Sequence, residues 1–131
     1  MESIILKPIG VIHSPFTDPK SMPIQPVSQN SAAGRIEVFP EFAAGLEDVE
    51  GFSHVLLLYH FHRSRAYSLS VTPFLDTEPR GLFATRAPNR PNPIGISLVR
   101  LVRIEGSRLH VENIDVIDGT PLLDIKPHVP D

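Results

Sequence analysis

The sequence predicts a mostly β fold: a small, single-domain β-barrel with a short helix and long loops, spanning residues 1–131. Three observations carry this reading. The chain has 131 residues, room for one core of ordinary size. Its 14 prolines, about twice the usual ~5% frequency, are spread along the chain, and proline breaks helix interiors because it lacks a backbone donor. Between them stand runs of β-branched and aliphatic residues bounded by turn residues. Closure into a barrel is expected because it removes exposed strand edges.

Taken in order, residues 4–13 (IILKPIGVIH) read as the first strand. Residues 15–33 carry four prolines and no sustained period, so they read as a long loop of the kind that is usually functional or mobile. Residues 35–39 (RIEVF) read as a strand. A short helix follows at 40–47, where Pro40 suits the first helical position and Glu41 the positive end, with Gly45 and Gly51 keeping it short. Residues 53–61 (SHVLLLYHF), 94–104 (IGISLVRLVRI) and 108–112 (RLHVE) complete the strands. Glu105-Gly106-Ser107 links the last two as a hairpin requires.

Hydrophobic residues make up 41% and charged residues 21%, ordinary globular usage. With no cysteine, disulfide frameworks, thiolate zinc sites and a thiol nucleophile are excluded, and a reducing compartment is favoured. MESIILKPIG has an early acid and no long apolar core, and no apolar run approaches the ~18 residues of a membrane span. A cytoplasmic protein without a membrane segment is expected.

The net charge of −3 is unevenly distributed. Residues 63–103 hold seven arginines against Asp76 and Glu78, hence +5, and the remainder holds five basic and thirteen acidic residues, hence −8. Clustered guanidinium groups suit phosphate or carboxylate; a solvated face with local ion pairs explains them equally well.

The glycines never form GxG, and no GxxxxGK[ST] occurs, so the usual phosphate-binding turns are missing. His54, His60 and His62 would share one strand face, but no acidic motif accompanies them, and no metal is expected. In RAPNRPNPIG (86–95), Pro88, Pro91 and Pro93 restrict the loop and hold Arg86, Asn89, Arg90 and Asn92 between them. Such a loop is either a preorganised site or a stiff connector. Around the turn Asp118-Gly119-Thr120-Pro121 stand Asp115, Asp124 and Lys126. Asp124 and Lys126 would project from one face of an extended run, either pairing with each other or serving a site.

Together, IGVIHSPF (9–16), GLEDVEGFSHVLLLYHFHRS (45–64), RGLFATRAPNRPNPIGISLVRL (80–101) and DGTPLLDIKP (118–127) resemble the YaeB/TrmO family, also called TsaA-like. Known members are S-adenosylmethionine-dependent tRNA methyltransferases. The resemblance implies a β-barrel, a homodimer, and N6-methylation of threonylcarbamoyladenosine beside the anticodon, so that the anticodon stem-loop of tRNA is the partner. It assigns S-adenosylmethionine to Pro23, Ile24, Gln25, His62, Arg63, Arg86 and Ile96, and to Ile114, Asp115 and Val116 on the strand before the DGTP turn. The family commonly has arginine where Ile24 stands and tyrosine where His128 stands. For the proton released by the acceptor nitrogen, Asp124 or Asp118 ranks ahead of Asp115, with Lys126 either orienting that carboxylate or contacting the substrate's carboxylate. Arg86 and Arg90 would meet the threonyl carboxylate or nearby phosphates, and Asn92 would fix the loop or meet an adenine edge. The competing reading is a non-catalytic S-adenosylmethionine-binding module, or a subunit needing a partner to bring RNA.

Overall fold

The structure is a computed structural model that describes residues 1–19 and 32–129. Its strands are β1 (Gly10–His13), β2 (Ala33–Val38), β3 (His54–His60), β4 (Ser70–Val71), β5 (Arg80–Gly81), β6 (Ile94–Glu105), β7 (Arg108–Glu112) and β8 (Thr120–His128). Six of them close a barrel in the order β1-β2-β7-β6-β3-β8, with β8 returning antiparallel to β1 through Gly10↔Leu122 and Ile12↔Thr120. β4 and β5 form a separate two-stranded ribbon. The expected barrel is therefore present.

Period-2 patterning decides what fills it. Along β6 the inward positions Gly95, Ser97, Val99 and Leu101 are buried while their neighbours are exposed. Ile12, Ile36, Val55, Leu57, Leu109, Val111 and Leu122 share this interior, each buried almost completely. At about 1.5–3 kcal/mol per large aliphatic side chain taken out of water, this interior is the main stabilising term. The hairpin between β6 and β7 turns at Gly106, whose φ of 60° lies in the left-handed region that glycine adopts without a Cβ clash.

Four expectations shift. The first strand begins at Gly10, not at residue 4. Ile9 still donates to the Leu122 carbonyl at 2.8 Å, but Pro8 has no N–H with which to continue the ladder, and Ile4, Ile5 and Leu6 are exposed. The short helix is a 3-10 helix, Pro40–Leu46. β8 is a full barrel strand although it contains Pro121 and Pro127. Pro121 lies opposite Val11 of β1 and Pro127 opposite Val55 of β3, each where a single neighbouring strand is paired, so neither interrupts a two-sided ladder. Finally, residues 114–117 are not a strand. Asn113 takes a φ of 69°, a left-handed conformation that asparagine tolerates better than most residues, and it turns the chain off β7.

Among the described residues no helix is long and apolar enough to cross a membrane.

Candidate functional site

At the end of the barrel where β3 stops and β6 and β8 start, a cavity of about 380 Å³ opens, within the range of small-molecule sites. Its walls come from Tyr59 near the end of β3, from Phe61, His62, Arg63, Ser64 and Arg65 just beyond it, and from Pro88 and Asn89 of the proline-locked loop. Asp115, Val116, Ile117 and Thr120 form the opposite side, and Pro19 lies at the edge.

Several contacts build this shape. Ser14 donates through Oγ to the Val116 carbonyl at 2.5 Å, and its amide donates to Asp118 Oδ1 at 3.0 Å. The Asp118 amide in turn donates to the Phe16 carbonyl at 2.7 Å. Thus the segment around HSPF clamps the segment around DGTP, and 114–117 is fixed without strand pairing. On the other side the Arg65 amide donates to Asn89 Oδ1 at 2.7 Å. Arg90 donates through Nη1 to the carbonyls of Thr85 and Ala87 at 3.0 and 2.9 Å, and its guanidinium lies 5.9 Å from the Phe83 ring centroid. Arg63 donates to the Thr17 carbonyl at 3.0 Å.

Behind the lining residues Tyr59 and Asp115, the buried Ser97 hydroxyl interrupts an otherwise apolar interior. Ser97 Oγ donates to Asp115 Oδ1 at 2.5 Å and lies 2.7 Å from Tyr59 Oη. Burial pushes the Asp115 carboxyl above the ordinary carboxylate value, partly offset by the Ser97 hydrogen bond and the charge of Arg86. Burial likewise pushes the Tyr59 phenol up to about 12, against the lowering effect of its bond to Ser97. Partial burial, with His60 and Arg63 nearby, lowers the His62 imidazole from its ordinary value and favours the neutral ring. A deep carboxylate, apolar and aromatic walls and a guanidinium-bearing rim make a place for an amphipathic ligand carrying both positive and negative groups.

The expected site residues divide by placement. His62, Arg63, Asp115 and Val116 line the cavity. Arg86 is close enough to act electrostatically on Asp115 and Tyr59, and its guanidinium donates to the Ile96 carbonyl; the Ile96 side chain itself is on the outer, exposed face. Ile114 is fully buried in the core. Pro23, Ile24 and Gln25 lie outside the described residues. Of the three residues expected to carry catalysis, none is among those lining the cavity. Asp118 caps the Ser14 amide, and Asp124 pairs with Lys126 at 2.9 Å. The register shift between Leu58 and Tyr59 sets Asp124 and Lys126 opposite Leu58 and Leu56, on the outside of the barrel. Asn92 is exposed in the loop, and Arg90 holds that loop together.

Tyr59, Ser97 and Phe61 have no place in the sequence-based site. A signal existed for Ser97: it is a hydroxyl at an inward position of an otherwise apolar strand. Among the described residues no three His, Asp or Glu side chains gather as metal ligands.

A family model described as the tRNA-methyltransferase O N-terminal domain matches residues 11–131. A probable S-adenosyl-L-methionine-binding protein of Pyrococcus abyssi is 56% identical over 98% of this chain and 70% of its own length. The tRNA (adenine(37)-N6)-methyltransferase of Homo sapiens is 37% identical over 97% of this chain and 30% of its own. Among solved structures, TrmO from Pseudomonas aeruginosa superposes with a TM-score of 0.81 at 42% identity, covering 98% of this chain and 57% of that one. The chain thus spans a little more than half of that solved protein.

Proposed function

Because the chain belongs to the tRNA-methyltransferase O N-terminal domain family, we propose that it binds S-adenosylmethionine in the cavity at the barrel end and methylates N6 of an adenine in tRNA. The finer assignment is to threonylcarbamoyladenosine beside the anticodon. The observation that carries the reading is Asp115, the one carboxylate among the described residues lining a cavity whose other walls are apolar, aromatic, cationic or uncharged polar.

The cavity fits the cofactor on its own chemistry. Aromatic and apolar walls from Tyr59, Phe61, Pro88 and Val116 suit an adenosine moiety. Arg63 and Arg65 suit a carboxylate, and the Asp115 carboxylate suits a cation. The absence of a glycine-rich turn is consistent with a cofactor held between strand ends and loops.

When bound, S-adenosylmethionine supplies an electrophilic methyl group whose bond to sulfur breaks as the acceptor nitrogen attacks, the electron pair staying on sulfur. The rest falls to the chain. Its larger task is alignment, because holding donor and acceptor in line replaces an encounter in solution. The second task is a proton: an acylated exocyclic nitrogen is a weak nucleophile and gives up its hydrogen as the new N–C bond forms. In this reading Asp115 accepts it, and burial raises its basicity. His62, whose imidazole is shifted toward the neutral form, is a second candidate among the described residues lining the cavity.

Recognition of RNA is supported by the excursion between β3 and β6. It carries Arg63, Arg65, Arg80, Arg86 and Arg90 and leaves the rings of Tyr67, Phe74 and Phe83 exposed. Cationic groups beside exposed rings suit the phosphates and unstacked bases of a single-stranded loop. A homodimer is supported by a separate surface, the outer face of β3 and β6. There Leu56 stands opposite Leu98 and Leu58 opposite Ile96, with Ile94, Ile96 and Leu98 exposed.

The deciding experiment is transfer of labelled methyl groups by the purified chain to tRNA bearing the threonylcarbamoyl group, beside tRNA lacking it. Label in the first alone supports the full proposal. Label in both supports adenine methylation and removes the finer substrate. Cofactor binding with no label in either indicates the binding-module reading.

A further inference from the structure

We propose that Ser97 and Tyr59 are positioning residues that lock the Asp115 carboxylate with Oδ1 turned into the barrel and its other oxygen presented to the cavity. This rests on the methyl-transfer reading above and identifies what fixes the geometry of the proton acceptor.

The direction of the hydrogen bonds follows from donor counting. A serine hydroxyl has one proton to donate. Ser97 spends it on Asp115 Oδ1 at 2.5 Å, so in the 2.7 Å contact with Tyr59 the phenol must be the donor. Both hydroxyls therefore point their protons toward Asp115, and the ionised carboxylate is the end of the chain. Tyr59 stays protonated in this role because its phenol is pushed up to about 12.

The two hydroxyls are carried by rigid elements. Tyr59 is the penultimate residue of β3, and its ring meets Phe61 edge-on, with centroids 5.4 Å apart. Gly95, which precedes Ser97 on the same inward face of β6, leaves the space the rings occupy: a Cβ there would lie 2.4 Å from the Tyr59 ring and 2.6 Å from that of Phe61. Asp115 sits on a segment outside any strand. A carboxylate on such a segment gains its orientation from neighbours with fixed rotamers.

Barrel stability alone does not call for this arrangement. Among the described residues the interior is otherwise aliphatic, with Ser97 and Thr120 as its buried polar members. An alanine and a phenylalanine at 97 and 59 would fill nearly the same space without burying polar groups. Besides Tyr59 from β3 and Ser97 from β6, the charged groups facing Asp115 are Arg86 from the preceding loop, with His62, Arg63 and Arg65 across the cavity.

The test uses Ser97→Ala, Ser97→Thr and Tyr59→Phe in the full chain. The Asp115 carboxyl is titrated by carbon NMR, and methyl transfer is followed against pH. Ser97→Ala removes a bond that favours the ionised carboxylate, so its titration midpoint is expected to rise. The acid limb of the kcat profile should rise with it. kcat should fall about tenfold or more, with KM for the cofactor changing less than about twofold. Ser97→Thr should return both readouts toward wild type, and Tyr59→Phe should shift the midpoint in the same direction by less. An unchanged Asp115 midpoint in Ser97→Ala overturns the proposal. So does a loss of kcat that follows melting temperature and is not recovered by threonine. Should Ser97→Ala not fold, Tyr59→Phe decides by the same titration. If the wild-type chain transfers no methyl group, the methyl-transfer reading fails, while the carboxyl titration still settles whether the hydroxyls hold Asp115.

Discussion

Ser97 Oγ donates to Asp115 Oδ1 across 2.5 Å, joining the inward face of β6 to a carboxylate on the segment between β7 and β8. The partially buried acid is thereby part of the barrel's interior as well as of the cavity wall. Its raised carboxyl pKa makes a statement about stability. A folded-state value above the unfolded one means that the fold favours the protonated acid. The associated stability is complete below the ordinary carboxylate value of 3.8 and is lost as pH rises through the raised folded value. Asp115→Asn removes that penalty and keeps an oxygen for Ser97. Its melting temperature should therefore exceed that of wild type at neutral pH, with the difference closing toward pH 3, while methyl transfer falls. A lower melting temperature at neutral pH would mean that attraction to Arg86 outweighs burial.

Tyr59 gives a second, independent reading of the same cluster. In Tyr67→Phe, Tyr59 is the remaining tyrosine, and its ultraviolet titration should have a midpoint near 12. The stability linked to this raised value is complete below 10.0 and disappears as pH rises toward about 12, so alkaline unfolding should accompany the ionisation. A reversible midpoint near 10 with the fold intact would show an exposed phenol.

Much of the barrel is legible in the sequence because β6 and β7 show clean period-2 burial and a glycine at their turn. β8 is hidden because Pro121, Pro127 and three charged or titratable residues (Asp124, Lys126, His128) disguise a strand whose prolines happen to meet one neighbour each. The site is half legible. Motif resemblance marks His62, Arg63 and Asp115, which line the cavity, whereas Asp118 and Asp124 look equally catalytic until the Ser14 cap and the strand register place them elsewhere. Tyr59 and Ser97 lie 38 residues apart, and only the β3–β6 pairing, with Tyr59 opposite Gly95, brings them together.

Gly95 couples packing to the site. Gly95→Ala would set a Cβ 2.4 Å from the Tyr59 ring, and overpacking of this kind costs about 1–3 kcal/mol. Denaturant unfolding should show that loss. Because the displaced ring carries the phenol bonded to Ser97, the Tyr59 titration should move as well. Wild-type stability in this variant would mean that β3 and β6 separate locally at no cost.

Two arginines of the basic excursion should behave differently. Arg90 spends Nη1 on the Thr85 and Ala87 carbonyls, so Arg90→Ala should speed hydrogen exchange across residues 85–93. Arg65 contributes a guanidinium to the cavity rim. Arg65→Ala should leave exchange unchanged and reduce the salt dependence of tRNA binding by roughly one phosphate contact. Faster loop exchange in Arg65→Ala would instead show that its side chain supports the Asn89 contact made by its own amide.

The outer face of β3 and β6 supplies the last prediction. Leu56, Leu58, Ile96 and Leu98 are adjacent through the pairs Leu56↔Leu98 and Leu58↔Ile96, and contiguous apolar surface of this kind usually marks an interface. A two-fold partner would use the same patch on both copies. Leu98 faces outward, so Leu98→Asp should leave the barrel folded while placing a charge at the centre of the contact. Light scattering at micromolar concentration should report a dimer for wild type and a monomer for Leu98→Asp, with unchanged circular dichroism. A monomeric wild type that still transfers methyl groups would remove the dimer from the proposed function. A dimer that survives Leu98→Asp would move its interface to another face.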